Sequence, residues 1–221
     1  MPVIVLASSK GGVGKSTIAL TLSQVFAQNG ALTTLIDADP NSPMEAWLNK
    51  TDDDVPNLTL VTGVDENDMV DTIDRATEVS TFVIVDLEGS ANLTMSYALG
   101  RADLVLIPIQ GSQLDANEAA KVLQLITHQE KLLKRPINRA AIISRAPFIV
   151  PRTAKHIRGL ISDLGLDILD AQLHDRDAYR AIFSFGGTIY QLTSDEVSKP
   201  ENAVQNADDV AQSVVDYIRR A

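Results

Sequence analysis

The chain has 221 residues, 45% of them hydrophobic and 22% charged, with a formal net charge of −10 and no cysteine. That apolar content can fill the core of one medium-sized domain. The missing thiols exclude a disulfide framework, a thiolate zinc site and a cysteine-held iron–sulfur cluster. No apolar run approaches the ~18–20 residues of a membrane helix, and no secretory leader is visible at the N-terminus. A cytoplasmic protein is expected.

In chain order, Pro2 to Ala7 (PVIVLA) is β-branched and apolar, as a buried central strand is. A glycine-rich loop follows, SSKGGVGKST from Ser8 to Thr17. Ser16 to Gln28 then places Ile18, Leu22, Val25 and Phe26 at helical spacing, with Gly30 as the stop. Further strands are expected at Thr33–Ile36 ending in Asp37, Leu58–Val61, Thr81–Val85 ending in Asp86, Asp103–Ile109 and Ala140–Ile143. Helical patterns occupy Asp68–Ala76, Leu114–Leu133, Pro151–Leu164 and Ala203–Arg219. Strands alternating with helices predict an α/β fold, a mostly parallel twisted sheet covered on both faces. No repeat or linker divides it, so residues 1–221 are read as one domain. Lys15, Asp37 and Asp86 all fall at strand ends, where such sheets bind ligands.

The loop fits a phosphate-binding pattern from Gly14-Lys15-Ser16 onward, but Ser9 stands where that pattern opens with glycine, and Lys10 adds a second cation. Gly11, Gly12 and Gly14 permit close backbone approach, so that successive N–H groups and the next helix's N-terminus face an anion. Lys15 is expected to hold the β- and γ-phosphates and Ser16 to coordinate Mg²⁺. Asp86, closing an apolar strand, is placed to hold the same ion. Asp37 and Asp39, in IDADPN, can support the metal shell and orient an attacking water. An Asx turn ahead of Pro40 is the plainer reading of that hexapeptide.

Lys10-Gly-Gly-Val-Gly-Lys-Ser-Thr17, Asp37-Ala-Asp-Pro40 and VIVDLEG ending at Gly89 together resemble the deviant-Walker ATPases of the ParA/MinD group. Later stretches, LIPIQGSQLDANEAAKV and RDAYRAIFSFGGTIYQL, resemble ParA proteins as well, so the likeness covers most of the chain. The resemblance implies a P-loop fold and an ATP site formed by Gly11, Gly12, Val13, Gly14, Lys15, Ser16 and Thr17. It implies that Lys10 reaches across an ATP-bound homodimer to the partner's nucleotide. It also implies that Asp39 positions the hydrolytic water and that Asp37, with Ser16 and Asp86, serves Mg²⁺. Two departures stand out: Leu87-Glu88 where relatives often carry small residues and prolines, and Ser144-Arg145 where relatives often place an asparagine against adenine.

The charge is unevenly spread. Residues 131–180 hold ten lysines and arginines against five aspartates, a local +5 that leaves −15 for the rest. Arg152, Lys155 and Arg158 recur every three residues on one face of a predicted helix. With the resemblance, this points to non-specific DNA binding by the ATP state, hence a nucleoid-associated partition or positioning ATPase. A solvated helix face is the plainer reading of that segment alone. The resemblance further implies slow turnover, stimulated by a centromere-binding or adaptor protein. The alternative readings are a MinD-like membrane-positioning ATPase, or one that positions a protein assembly or microcompartment. The C-terminal ADDVAQSVVDYIRRA carries three aspartates, so packing on the sheet rather than membrane binding is expected of it. The chain starts at the first strand, so operator binding through a helix-turn-helix is not expected.

Overall fold

The computed structural model describes residues 1–52, 54–149 and 154–220. Its seven strands are β1 (Val3–Leu6), β2 (Thr33–Ala38), β3 (Leu58–Thr62), β4 (Phe82–Leu87), β5 (Leu104–Ile109), β6 (Asn138–Ile143) and β7 (Asp167–Ile168). They form one sheet in the order β3-β2-β4-β1-β5-β6-β7, every pairing parallel. Strand order reverses at β1, which lies between β4 and β5. The crevice at such a reversal, beyond the strand C-termini, is where open α/β sheets take ligands.

Among the described residues, eight helices cover the sheet: α1 (Lys15–Gln28), α2 (Pro43–Leu48), α3 (Met69–Val79), α4 (Leu93–Arg101), α5 (Gln113–Leu133), α6 (Ala154–Asp163), α7 (Ala178–Phe185) and α8 (Pro200–Arg220). Successive strand side chains point to opposite faces, and both faces here are apolar. Ile4, Leu6, Leu35, Ile84, Leu104 and Ile142 pack under α1, α2, α7 and α8. Val3, Val5, Ile36, Val83, Val85 and Val105 pack under α3, α4, α5 and α6. This two-sided burial explains why the central strands read as continuous apolar runs.

Helix α1 is buried on nearly every side, including Thr21, Ser23 and Gln24, because α8 covers the flank that a surface helix would expose. Gln24 is satisfied across the fold: its Oε1 accepts from the Ile189 amide (2.9 Å) and its Nε2 donates to the Gly187 carbonyl (3.2 Å). The expected strands and helices are all present, with small shifts at their described ends; residues 151–153, where the Pro151–Leu164 helix was expected to begin, lie outside the described residues. Helices α2, α4 and α7 and the short edge strand β7 are additions that the periodicity did not foresee. Each has only 2–9 residues, too short for a 3.6-residue pattern to stand out. Among the described residues no helix is long and apolar enough to cross a membrane. The apolar stripe of α8, from Ala203 through Ala207 and Val210 to Val214, is buried in the core.

Candidate functional site

The glycine loop joins β1 to α1. Gly12 and Gly14 have φ of 75° and 96°, a region costly for residues with a Cβ. Gly14 caps α1 without a side-chain hydrogen bond, which leaves first-turn N–H groups free to meet an anion. The loop is held from outside by side chains. Ser144 Oγ donates to the Val13 carbonyl (2.6 Å), and Gln110 Nε2 donates to the Gly12 carbonyl (2.9 Å). Ser9 Oγ, at the position of the missing glycine, donates to the Glu118 carboxylate and carbonyl on α5.

Lys15 is buried, 5% exposed, and burial lowers its pKa against the opposing pull of Asp86, Asp39 and Glu88. A buried ammonium facing three carboxylates, with no ion-pair partner among the described residues, is poised to receive an anion. The register places Asp37 of β2 directly beside Asp86 of β4. Both oxygens of the fully buried Asp86 lack a hydrogen-bond partner among the described residues. Burial pushes its carboxyl up to about 7, while the nearby Ser16 hydroxyl favours ionisation without completing a well-formed bond. An orphaned buried carboxylate next to a serine hydroxyl suits a hard divalent cation. No group of three or more acidic or histidine side chains among the described residues could hold a metal by itself. Such an ion would therefore need further oxygens, as a nucleotide's phosphates supply.

Asp37 has a second task. Its Oδ1 accepts from the Asp39 amide (3.1 Å) and its Oδ2 from the Met44 amide (2.9 Å), which ties β2 to the start of α2. Burial raises its pKa, and those two amides oppose the rise. The Asx turn and the acidic site are thus one arrangement. Asp39 is half-buried, and its Oδ1 accepts from the Asn41 amide and side chain (2.9 and 2.8 Å). A cavity of about 340 Å³ brings Gly11, Gly12, Gly14, Lys15, Ser16 and Thr17 together with Asp39, Asn41, Glu88, Gly89 and Arg145. A narrower one, about 40 Å³, continues from Gly14 and Thr17 past Ser144, Arg145 and Arg176.

Lys10 points to α5, with its Nζ 3.4 Å from Asp115 Oδ1. Asp115 is fixed by a reciprocal cap with Ser112. Burial pushes its carboxyl up, but hydrogen bonds from Ser112 and Lys10 outweigh this and hold it below the usual carboxylate range. The Lys10 side chain is 42% exposed and its contact is long, so little holds it there. Asp115, Glu118 and Gln110 were not among the residues expected at the site, and Ser144, noted only at the position of an adenine contact, instead holds the loop at Val13. Ser112-x-x-Asp115 is a legible capping signature, but only the fold brings it to the loop.

Of the three predicted DNA contacts, Arg152 lies outside the described residues. Lys155 and Arg158 are exposed on α6, whose Ile157 and Ile161 face the core, and neither makes an ion pair among the described residues. They do not line the phosphate cavity. Arg158 instead lines a separate apolar cavity of about 140 Å³ together with Gln110, the residue that holds Gly12.

Residues 4–189 match the model of the CobQ/CobB/MinD/ParA nucleotide binding domain. Over its full length the chain is 37% identical to the protein ParA of Rhizobium radiobacter, covering 99% of that protein. It is 27% identical to the maintenance of carboxysome distribution protein A of Halothiobacillus neapolitanus, over 91% of this chain and 95% of that one. The MinD cell division protein of Aquifex aeolicus superposes with a TM-score of 0.75 at 20% identity, covering 98% of both chains.

Proposed function

Because the chain belongs to the CobQ/CobB/MinD/ParA nucleotide-binding domain family, we propose that it is a magnesium-dependent ATPase that dimerises on ATP. In that state it binds DNA without sequence preference and partitions or positions a cargo. The observation that carries this reading is the constellation of buried Lys15, orphaned Asp86 and half-exposed Lys10 around one glycine loop.

The loop amides and the α1 N-terminus cradle the phosphates, and Lys15 neutralises the β- and γ-oxygens. Ser16 and Asp86 would hold Mg²⁺, with Asp37 beside them; the ion's chemistry there is to neutralise phosphate charge. Asp39 orients the attacking water. Lys10 leaves Asp115 and enters the partner subunit's site as a cation supplied in trans. A site completed only by the second subunit makes turnover slow and dimerisation the switch.

Exposed Lys155 and Arg158, doubled in a dimer, support binding to phosphate backbones. The shared position of Gln110 between the loop and the α6 cavity supports coupling of that surface to nucleotide. A centromere-binding or adaptor protein is the proposed stimulating partner, and the cell's nucleoid the proposed location. The relative named for carboxysome distribution favours a second reading of the cargo, a protein assembly instead of a plasmid. The membrane-positioning alternative has less support, because the apolar stripe of α8 is spent in the core. Titration of random-sequence DNA with and without ATP tests the reading. ATP-dependent, salt-sensitive binding is expected; binding indifferent to ATP would overturn the DNA switch.

A further inference from the structure

Glu88 lies just past β4, two residues beyond Asp86, on the wall of the cavity that contains Lys15 and Ser16. Its side chain is tied down. Ser90 Oγ donates to Glu88 Oε2 (2.7 Å), Asn92 Nδ2 donates to the same oxygen (3.2 Å), and Asn92 Nδ2 also reaches Ser90 Oγ (3.1 Å). Asn92 in turn caps α4, accepting from the Met95 amide (2.9 Å). The backbone is equally constrained. A Cβ on Gly89 would come within 2.6 Å of the Gly11 amide nitrogen and 2.7 Å of the Lys10 carbonyl carbon, so the segment rests directly on the glycine loop. Glu88 is therefore a carboxylate that cannot easily retreat from the cavity it lines.

We infer that Glu88 is a specificity-determining residue: a fixed negative charge that weakens triphosphate binding more than diphosphate binding. This rests on the nucleotide-site reading above. The glycine loop and Lys15 cradle the phosphates nearest the α1 N-terminus. An additional phosphate extends toward the rest of the lining, where Asp39 and Glu88 stand at the ends of β2 and β4. Asp39, itself held by the Asn41 amide and side chain, and the cationic Arg145 line the same space, and Asp86 lies buried beside Lys15; Glu88 is the carboxylate anchored to the cap of α4. The tether makes the repulsion persistent, because a mobile carboxylate would swing to solvent at little cost. Its consequence is a resting preference for ADP that only metal-neutralised triphosphate overcomes.

The test compares Glu88→Gln with the wild type in calorimetric titrations with ADP and with AMPPNP, both with magnesium, at low and high salt. The glutamine amide keeps an acceptor oxygen for Ser90 and Asn92, and thermal unfolding checks that the fold is intact. The variant should tighten AMPPNP by about tenfold and ADP by less than about threefold, the scale of one unit charge acting over several ångströms in a half-solvated cleft. The difference should shrink as salt rises. Glu88→Ala, which also removes the charge, serves if Glu88→Gln misfolds and should shift the same ratio. Unchanged ratios in a wild type that binds both nucleotides would overturn this inference and leave the ATP-site reading standing. The inference also fails if hydrolysis collapses with the ratio unchanged, because Glu88 would then act as a base. A wild type that binds neither nucleotide ends both.

Discussion

The glycine loop and the basic face of α6 are both built on the C-terminal side of the same sheet, and they are built in opposite ways. The loop is fastened by Ser144, Gln110 and Ser9, and its lysine is buried. Lys155 and Arg158 stand exposed on a helix that buries Ile157 and Ile161 in the core. The contrast separates preorganised chemistry from a screened, adaptable surface. A reacting group gains from being held in a low-dielectric site before its ligand arrives, whereas a surface that reads only phosphate charge needs no fixed geometry.

The sharpest way to break the comparison is at its buried end. Lys15→Ala should weaken ATP binding by at least about a hundredfold, since it deletes the buried cation proposed to face the phosphates; unchanged affinity in a titration would refute the assignment. Asp86→Asn should remove Mg²⁺-dependent hydrolysis and yet stabilise the nucleotide-free protein. A carboxyl raised from 3.8 to about 7 favours folding fully below pH 4, and this contribution is lost as pH rises through 7. Above that pH the substitution should add about 2–4 kcal/mol. The gain should vanish near pH 4, and chemical denaturation at the two pH values checks it.

Lys10→Ala should keep ATP affinity within about threefold while weakening ATP-driven dimerisation by roughly tenfold or more, the scale of a lost charge-assisted contact. Normal dimers in sedimentation, with normal turnover, would remove its role in trans. At the exposed end, Lys155→Glu with Arg158→Glu should weaken ATP-dependent DNA binding by about tenfold at moderate salt and flatten its salt dependence, with dimerisation intact. The smallest effect is expected at Asp115→Ala. Losing a 3.4 Å contact that is half-exposed on its lysine side should favour the ATP dimer by only about two- to fivefold. A fall in dimerisation would mean that Asp115 organises the interface instead of parking Lys10.

The strands and long helices were legible because their apolar residues repeat at regular spacing, and the loop was legible because its glycines and lysines are contiguous. Asp37 shows the limit. Its two possible readings, turn former and acidic site residue, cannot be separated in IDADPN, yet the fold makes them one by joining the Asp39 and Met44 amides to a carboxylate beside Asp86. Lys10 shows it again: its contact Asp115 lies 105 residues away, beyond the reach of any local pattern.

Local chemistry along the chain was sufficient to determine the α/β alternation, the phosphate loop with its extra lysine, the strand-end aspartates and the displaced positive charge. Tertiary structure alone decided which distant groups meet: Asp37 with Asp86, Ser9 and Lys10 with α5, and Gly89 with the glycine loop. The physical reason is range. Backbone propensity and periodicity act over a few residues, whereas burial, orphaned carboxylates and fixed charges arise only when strands and loops distant in sequence are packed side by side.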